Sequence, residues 1–381
     1  MFNGIYQYNF PTTIRFGDGA VAELPGYLIK NGLKAPLIVT DPTVAGLDFF
    51  VKICNDLSRQ GIHPETFSAI HKNPVKSDVY RGTDVYDHTK RDAIIGIGGG
   101  AALDVARAIA LRVNHREDLF TYDDLIGGDV YVTHEVPPFI TIPTTAGTGS
   151  EVGRSAIISD DETHQKKILF SPKLLARIVF ADPRLTMGLP PAITAATGMD
   201  ALTHNMEAFL AKTPHPLCEG IALEGMALIG RALVRAVKNP DIAARSEMLI
   251  ASLMGAVAFQ KGLGVVHSLA HPLSSLLDTH HGLANAINLP YGMEFNITGS
   301  EEKFRRMARA LELKEETGAG VVRYLHELNE QVGIPHQLSA IGVREQHLDP
   351  LADLALADFA HPNNPKPVSR DDFYALYRKA L

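Results

Sequence analysis

The chain is predicted to fold as an α/β half built on a parallel sheet, followed by an all-helical half. Three observations predict it. Short apolar runs in the first half close on Gly, Pro or Asp turns and alternate with helix-like stretches, the grammar of strands joined by helical crossovers. After Leu189-Pro190-Pro191 the pattern changes to long apolar periods near 3.6 residues. Finally, 381 residues with 45% hydrophobic and 21% charged side chains suffice for two cores. The strand signals end just before the proline pair, so the expected domains are 1–187 and 188–381.

In chain order, APLIVT (35–40) is a buried strand ending at the Asp41-Pro42 turn, and Phe49 to Gln60 is a helix. DAIIGI (92–97) is a strand that stops at Gly98-Gly99-Gly100 and leads into the helix former AALDVARAIA. Phe139 to Ile142 is a third strand, ending at Pro143 before TTAGTGSE, and Ile178 to Ala181 is the last, ending at Asp182-Pro183. Helices are then expected over Ala192–Lys212, Leu217–Lys238, Ala243–Lys261 and Lys303–Leu313. No internal repeat or low-complexity segment interrupts this order.

Charge and cysteine usage narrow the function classes. A net charge of −7 without a basic block argues against nucleic acid as a partner. Two cysteines, Cys54 and Cys218, cannot build a disulfide framework or a thiolate metal site, which fits a reducing cytoplasm. The N-terminus lacks the cationic start and apolar run of a secretion signal, and no uninterrupted run of roughly 18 apolar residues is present. A soluble cytoplasmic protein with no membrane partner is expected.

Two loops and one carboxylate point to a dinucleotide. Gly98, Gly99 and Gly100 follow a strand and open a helix, where backbone N–H groups can approach a diphosphate; a tight strand-to-helix turn would use the same residues. Thr144, Thr145 and Thr148 lie in a loop of small hydroxyl residues and glycines, suited to the ribose and nicotinamide end. Asp41, just after the first strand, can accept hydrogen bonds from a ribose diol and would repel a 2′-phosphate, which favours NAD over NADP; the plainer reading is a turn-forming Asp before Pro.

The helical half carries metal-ligand spacing. In GMDALTH (198–204), Asp200 and His204 are four residues apart and share one helix face. His267 and His271 in GLGVVHSLAHP repeat that spacing, and His281 follows in HHGLANA. A carboxylate plus imidazoles, without a usable thiolate, suits Fe(II) or Zn(II). A metallohydrolase would use the same donors to activate water, but would leave the glycine loops and Asp41 without a purpose.

These motifs, GIGGG (96–100), PTTAGTGSE (143–151), ADPRLTMGLPP (181–191), ATGMDALTHNMEA (196–208), GLGVVHSLAHPL (262–273) and HGLANAINLP (281–290), together resemble the iron-containing (group III) alcohol dehydrogenases over essentially the full length. The resemblance implies an N-terminal Rossmann-like nucleotide domain, a C-terminal helical metal-binding domain and a homodimer or higher homo-oligomer. It implies Asp200, His204, His267 and His281 as ligands of Fe(II), with Zn(II) the alternative, and His271 as a non-ligand histidine that transfers protons. The expected cofactor set is Asp41, Asn73, Gly98, Gly99, Gly100, Ala101, Thr144, Thr145, Thr148 and Lys166, with NAD as coenzyme. The implied chemistry is Lewis-acid polarisation of an alcohol with hydride transfer to nicotinamide. Glycerol dehydrogenase-like and dehydroquinate synthase-like relatives of the same fold typically use fewer protein ligands than this set.

Three departures from the family pattern bear on function. Ala101 replaces the usual Ser after the triple glycine, which leaves diphosphate binding to backbone donors. His280 precedes His281 where Pro is common, so either imidazole could face the metal, and the His-Gly context favours His281. Gly153 and Arg154 stand where many relatives have Thr and an uncharged residue. Arg154 could pair with a substrate carboxylate, so a short ω-hydroxy acid and its semialdehyde join simple alcohols and diols as expected substrates.

Overall fold

The computed structural model describes residues 10, 12–163 and 165–381. They divide into two compact units. One comprises residues 12–145 with Ser150–Thr186, the other Ala146–Gly149 with Met187–Leu381.

The first unit is built on eight strands: β1 (Thr13–Phe16), β2 (Pro36–Val39), β3 (Glu65–Phe67), β4 (Ala93–Gly98), β5 (Phe139–Pro143), β6 (Ser155–Ser159), β7 (Lys166–Phe170) and β8 (Ile178–Ala181). Six form a wholly parallel sheet in the order β1-β8-β5-β4-β2-β3, and β6 and β7 pair as a separate antiparallel hairpin. Helices α1 (Leu24–Lys30), α2 (Pro42–Ala45), α3 (Asp48–Arg59), α4 (Lys76–His88) and α5 (Gly100–Asn114) supply the crossovers.

Both faces of the sheet are covered, which is why its central strands are apolar throughout rather than alternating. Leu37, Val39 and Ile94 join one core with Val105 and Ile109 of α5. Ile38, Ile95 and Ile97 point to the other, against Leu28 of α1 and Phe50 and Leu57 of α3. Gly96 lies under α5, where a Cβ would meet Ala106 Cβ at 3.0 Å and Leu103 Cδ2 at 3.1 Å; its bare backbone lets the helix lie close to the strand.

The four central strands were expected, whereas β1, β3 and the hairpin were not. The reason is their position. β1 and β3 are the edges of the sheet and expose three of four and two of three residues, so TIRF and ETF carry no continuous apolar run. The hairpin strands begin or end on Ser and Lys and are only three-fifths buried or less.

The second unit contains α6 (Pro191–Leu210), α7 (Pro216–Lys238), α8 (Ile242–Ala258), α9 (Val265–Leu277), α10 (His281–Asn296), α11 (Glu301–Ala310), α12 (Gly318–Val332), α13 (Leu348–Leu356) and α14 (Arg370–Ala380), and no strand among its described residues. Every residue of α6 from Thr194 to Leu210 is buried. A helix covered on all sides cannot present a polar stripe, and α7, α8 and α10 pack around it. The segment Ile242–Lys261 is long and apolar enough to cross a membrane by length and composition alone. Here it packs against α6 and α7, with 56% of its most apolar window buried.

Residues 146–149, expected in the first domain, belong to the helical unit because two glycines let their backbone press onto it. A Cβ on Gly147 would meet Thr197 Cβ at 2.7 Å, and one on Gly149 would meet Ala256 Cβ at 2.1 Å. Gly149 also has φ +63°, in the left-handed region that favours glycine.

Candidate functional site

In the α/β unit, β2 leads outward to β3 while β4 leads the other way to β5, so the sheet has its topological switch point between β2 and β4. Ligands of open parallel sheets bind outside the carboxyl ends of the strands at this point. Asp41 follows β2 and Gly98–Gly100 close β4, so both flank it. The two are neighbours: a Cβ on Gly98, whose φ is +152°, would lie 3.6 Å from Asp41 Oδ2 and 2.7 Å from Ala102 Cβ.

Asp41 fulfils the plainer, turn-forming reading of its sequence. Its Oδ1 accepts hydrogen bonds from the Thr43 and Val44 amides, both at 2.9 Å, and so caps α2, while Oδ2 is turned toward the glycine loop. Gly99 is the N-cap of α5 and offers no side-chain acceptor, which leaves the amides of Gly100, Ala101 and the residue after them to an anion. Thr144 N donates to Gly98 O at 3.0 Å, and a Cβ on Gly99 would lie 3.3 Å from the Thr145 side chain, so the two loops abut.

Behind these loops the wholly buried Arg107 guanidinium donates to Ser150 Oγ and Ser155 O, both at 2.8 Å, and to Ser150 O, while pairing with Asp104 at 3.2 Å. This ties α5, which carries the glycine loop, to the end of TTAGTGSE and to the start of β6. Asn73 lies in the turn before α4, and Lys166 opens β7. Thr148 belongs to the helical unit and is therefore not grouped with Thr144 and Thr145.

In the helical unit Asp200 and His204 come from α6, His267 from α9 and His281 from the first residue of α10. One ligand atom of each lies within 4.8 Å of those of the other three. Asp200, His204 and His267 are at most 5% exposed. Burial pushes the His204 imidazole down to about 4, so it is neutral near pH 7, the form that binds a metal. His204 Nδ1 is 3.3 Å from Gly147 O, which leaves Nε2 as the donor. His280 is excluded from the cluster: it is the N-cap of α10, and its Nδ1 accepts from Leu283 N at 3.4 Å.

A cation fits this group, on the chemistry of its donors. Asn285, one turn beyond His281, places Nδ2 at 2.7 Å from Asp200 Oδ1, 3.2 Å from His267 Nε2 and 3.1 Å from His281 Nε2. Three lone-pair atoms converge there on one amide nitrogen that has two hydrogens, while Asn285 Oδ1 is buried with no partner among the described residues. Acceptors in such excess are satisfied by a positive ion.

Sequence reasoning missed Glu207. Its buried carboxylate accepts from His267 Nδ1 at 2.5 Å and from the amides of Val266 at 2.7 Å and His267 at 3.3 Å. It therefore caps α9 and holds the His267 ring with Nε2 toward the donor cluster, the carboxylate–histidine–metal arrangement. Burial alone would depress the His267 pKa, but the Glu207 hydrogen bond and charge raise it. The available signal was a Glu placed on the same helix face as Asp200 and His204 in an otherwise apolar helix.

His271 lies one turn after His267, and its ring stacks on those of His281 and Phe359, each at a centroid distance of 5.3 Å. It is beside the donor cluster but outside it. Its Nδ1 is 2.7 Å from Asp358 Oδ2, a contact that no motif announced.

Glycine loops at a switch point and a set of one Asp and three His, all but His281 buried, are the features of a dinucleotide-linked, metal-dependent oxidoreductase. Comparison with known proteins agrees throughout the chain. Residues 11–183 match the model of the iron-containing alcohol dehydrogenases, and residues 194–381 match the C-terminal part of that family. The chain is 36% identical over 380 residues to 4-hydroxybutyrate dehydrogenase of Cupriavidus necator, covering 97% of this chain and 98% of that protein. Its fold matches a crystal structure of 1,3-propanediol oxidoreductase with a TM-score of 0.95 at 32% identity, over 99% of this chain and 100% of that one. Sulfoacetaldehyde reductase from Bifidobacterium kashiwanohense in complex with NAD+ matches with a TM-score of 0.90 at 25% identity, over 99% of this chain and 100% of that one. The chain belongs to the iron-containing alcohol dehydrogenase family and is a metal-dependent, NAD-linked alcohol/aldehyde oxidoreductase.

Proposed function

We propose that this chain interconverts a primary alcohol and its aldehyde with NAD(H), using one Fe(II) held by Asp200, His204, His267 and His281. The observation that carries this reading is the convergence of those four donors on α6, α9 and α10, backed by Glu207. When bound, the ion supplies Lewis-acid polarisation of the alcohol or carbonyl oxygen. The chain's own residues do the rest. Glu207 and Asn285 orient the donors, the amides after Gly99 with Thr144 and Thr145 hold the dinucleotide, and His271 handles the proton. Asn73, Ala101, Thr148 and Lys166 complete the cofactor set, the domains are 1–187 and 188–381, and the chain acts as a cytoplasmic homo-oligomer. The test is NADH-linked turnover of short alcohols, diols and their aldehydes by protein loaded with Fe(II) or Zn(II). Greater turnover with Fe(II) supports the iron assignment, and no turnover with either ion overturns the reading.

Asp41 sets coenzyme choice on this reading, because its carboxylate accepts from a ribose diol and repels a 2′-phosphate. Asp41→Gly should raise the NADP to NAD ratio of kcat/KM. The variant also loses the α2 cap, worth a few tenths of a kcal/mol when Gly replaces Asp, so a small drop in stability should accompany the switch. An unchanged ratio refutes the role.

A second reading, a short ω-hydroxy acid and its semialdehyde, is favoured by Arg154. Its guanidinium is half-buried over the Phe170 ring at 5.4 Å, burial lowers its pKa, and no carboxylate pairs with it among the described residues. The relative from Cupriavidus necator is named for a substrate of this class. A charge-assisted pair contributes about 1.5–3 kcal/mol, so a semialdehyde acid should exceed its uncharged analogue by roughly tenfold to a hundredfold in kcat/KM. Arg154→Ala should erase that preference. Equal efficiency for the two aldehydes in the wild type contradicts it.

A further inference from the structure

The residue that readies His271 lies 87 positions away in sequence. Asp358 follows α13, and its side chain is 8% exposed. Its Oδ2 is 2.7 Å from His271 Nδ1, while Oδ1 accepts from Ser268 Oγ at 2.6 Å and from Ala360 N at 2.9 Å. Ser268 Oγ in turn accepts from His361 N at 2.9 Å, so α9 and the segment 358–361 are cross-linked on both sides of the carboxylate. Burial opposes ionisation of Asp358, yet His271 and these donors hold its pKa down to about 2. An ionised carboxylate has no hydrogen to give, so the Asp358–His271 bond requires the hydrogen to sit on Nδ1. Stacking of the ring on His281 and on Phe359 opposes its swivelling out of the bond.

From this geometry we infer that Asp358 is a positioning residue that fixes His271 in the Nδ1–H tautomer and presents the bare Nε2 as the proton acceptor. The inference rests on the proton-transfer role proposed for His271. With NAD+ bound, the carbinol C–H bond would break with its electron pair passing to that cofactor as the C=O bond forms, and the hydroxyl proton would go to Nε2. The products are aldehyde, NADH and an imidazolium that Asp358 stabilises; reduction returns that proton. A histidine with its hydrogen on Nε2 could not accept it. Asparagine at 358 could donate its amide hydrogen to Nδ1 and so stabilise that wrong tautomer, the logic known for the Asp of the Ser–His–Asp triad.

The test combines 15N NMR of histidine-labelled, zinc-loaded protein with steady-state kinetics. Wild type should show His271 protonated at Nδ1. Asp358→Asn should move the hydrogen to Nε2 and lower kcat by roughly a hundredfold or more, with zinc content and the KM for NAD unchanged, and Asp358→Glu should recover part of kcat. An Nε2–H tautomer in wild type overturns the inference even if Asp358→Asn does not fold, as does Asp358→Asn with wild-type kcat. His271→Ala separates the two levels: if it keeps full turnover, the proposed role of His271 fails, whereas loss of turnover there with none in Asp358→Asn removes only the part assigned to Asp358.

Discussion

His267→Ala should lose both the metal and the activity. Its Nε2 belongs to the four-donor cluster and its Nδ1 is bonded to Glu207 in a buried environment. Removing a partner behind a ligand typically weakens metal binding by about 10–100-fold, and loss of the ligand itself should exceed that. His204→Ala should behave alike, since both atoms lie in the same cluster. The measurement is metal content per chain after dialysis, alongside NADH-linked rate. A full metal complement in His267→Ala contradicts its assignment as a ligand. Chelation should inactivate the wild type, and recovery on adding Fe(II) or Zn(II) under anaerobic conditions reports the working ion better than affinity, which follows the general order of divalent metals regardless of function.

His271→Ala should keep metal and NAD but lose turnover. Removing a positioned proton acceptor costs on the order of 10²–10⁴-fold in rate, while the donor cluster is made without this residue. The pH profile of kcat should change with it, because the group that takes the proton is gone. Metal loss comparable to that of His267→Ala would show that His271 belongs among the ligands. The two variants differ by a single helical turn of α9, so the contrast between them discriminates position from mere presence of an imidazole.

That contrast also marks how far the site was legible before the fold. The spacing of four in Asp200/His204 and His267/His271 placed each pair on one helix face, because helix geometry is local. Nothing in that spacing brings α6, α9 and α10 to a common point, nor does it decide between His267 and His271. Those assignments came from resemblance. Between His280 and His281, the second is the one whose ligand atom lies in the four-donor cluster, and the first is the N-cap of α10. Asp358 was invisible because its partners Ser268 and His271 are some 90 residues earlier and no local pattern links them. Glu207 was legible in principle, as a carboxylate in a helix that is buried on every side, on the same face as Asp200 and His204.

The fold shows the same division. Strands buried on both faces, such as β4 with Ile94, Ile95 and Ile97, carry a run that stands out in sequence. Edge strands and the β6–β7 hairpin owe their existence to neighbours rather than to their own residues, and exposed TIRF resembles a loop. The loop around Gly147 was read as part of the first domain because it continues a strand of that domain, while the packing of its glycines on Thr197 and Ala256 is a tertiary fact.

The central claim is that the donors on α6, α9 and α10 hold one catalytic divalent ion. Its most direct test is a titration of metal-stripped protein with Fe(II), following NADH formation from a primary alcohol as ion is added. Activity should rise from near zero in proportion to bound metal and level off at one ion per chain. Full turnover by the stripped protein, or none at saturating metal and NAD across a broad alcohol panel, would contradict the account.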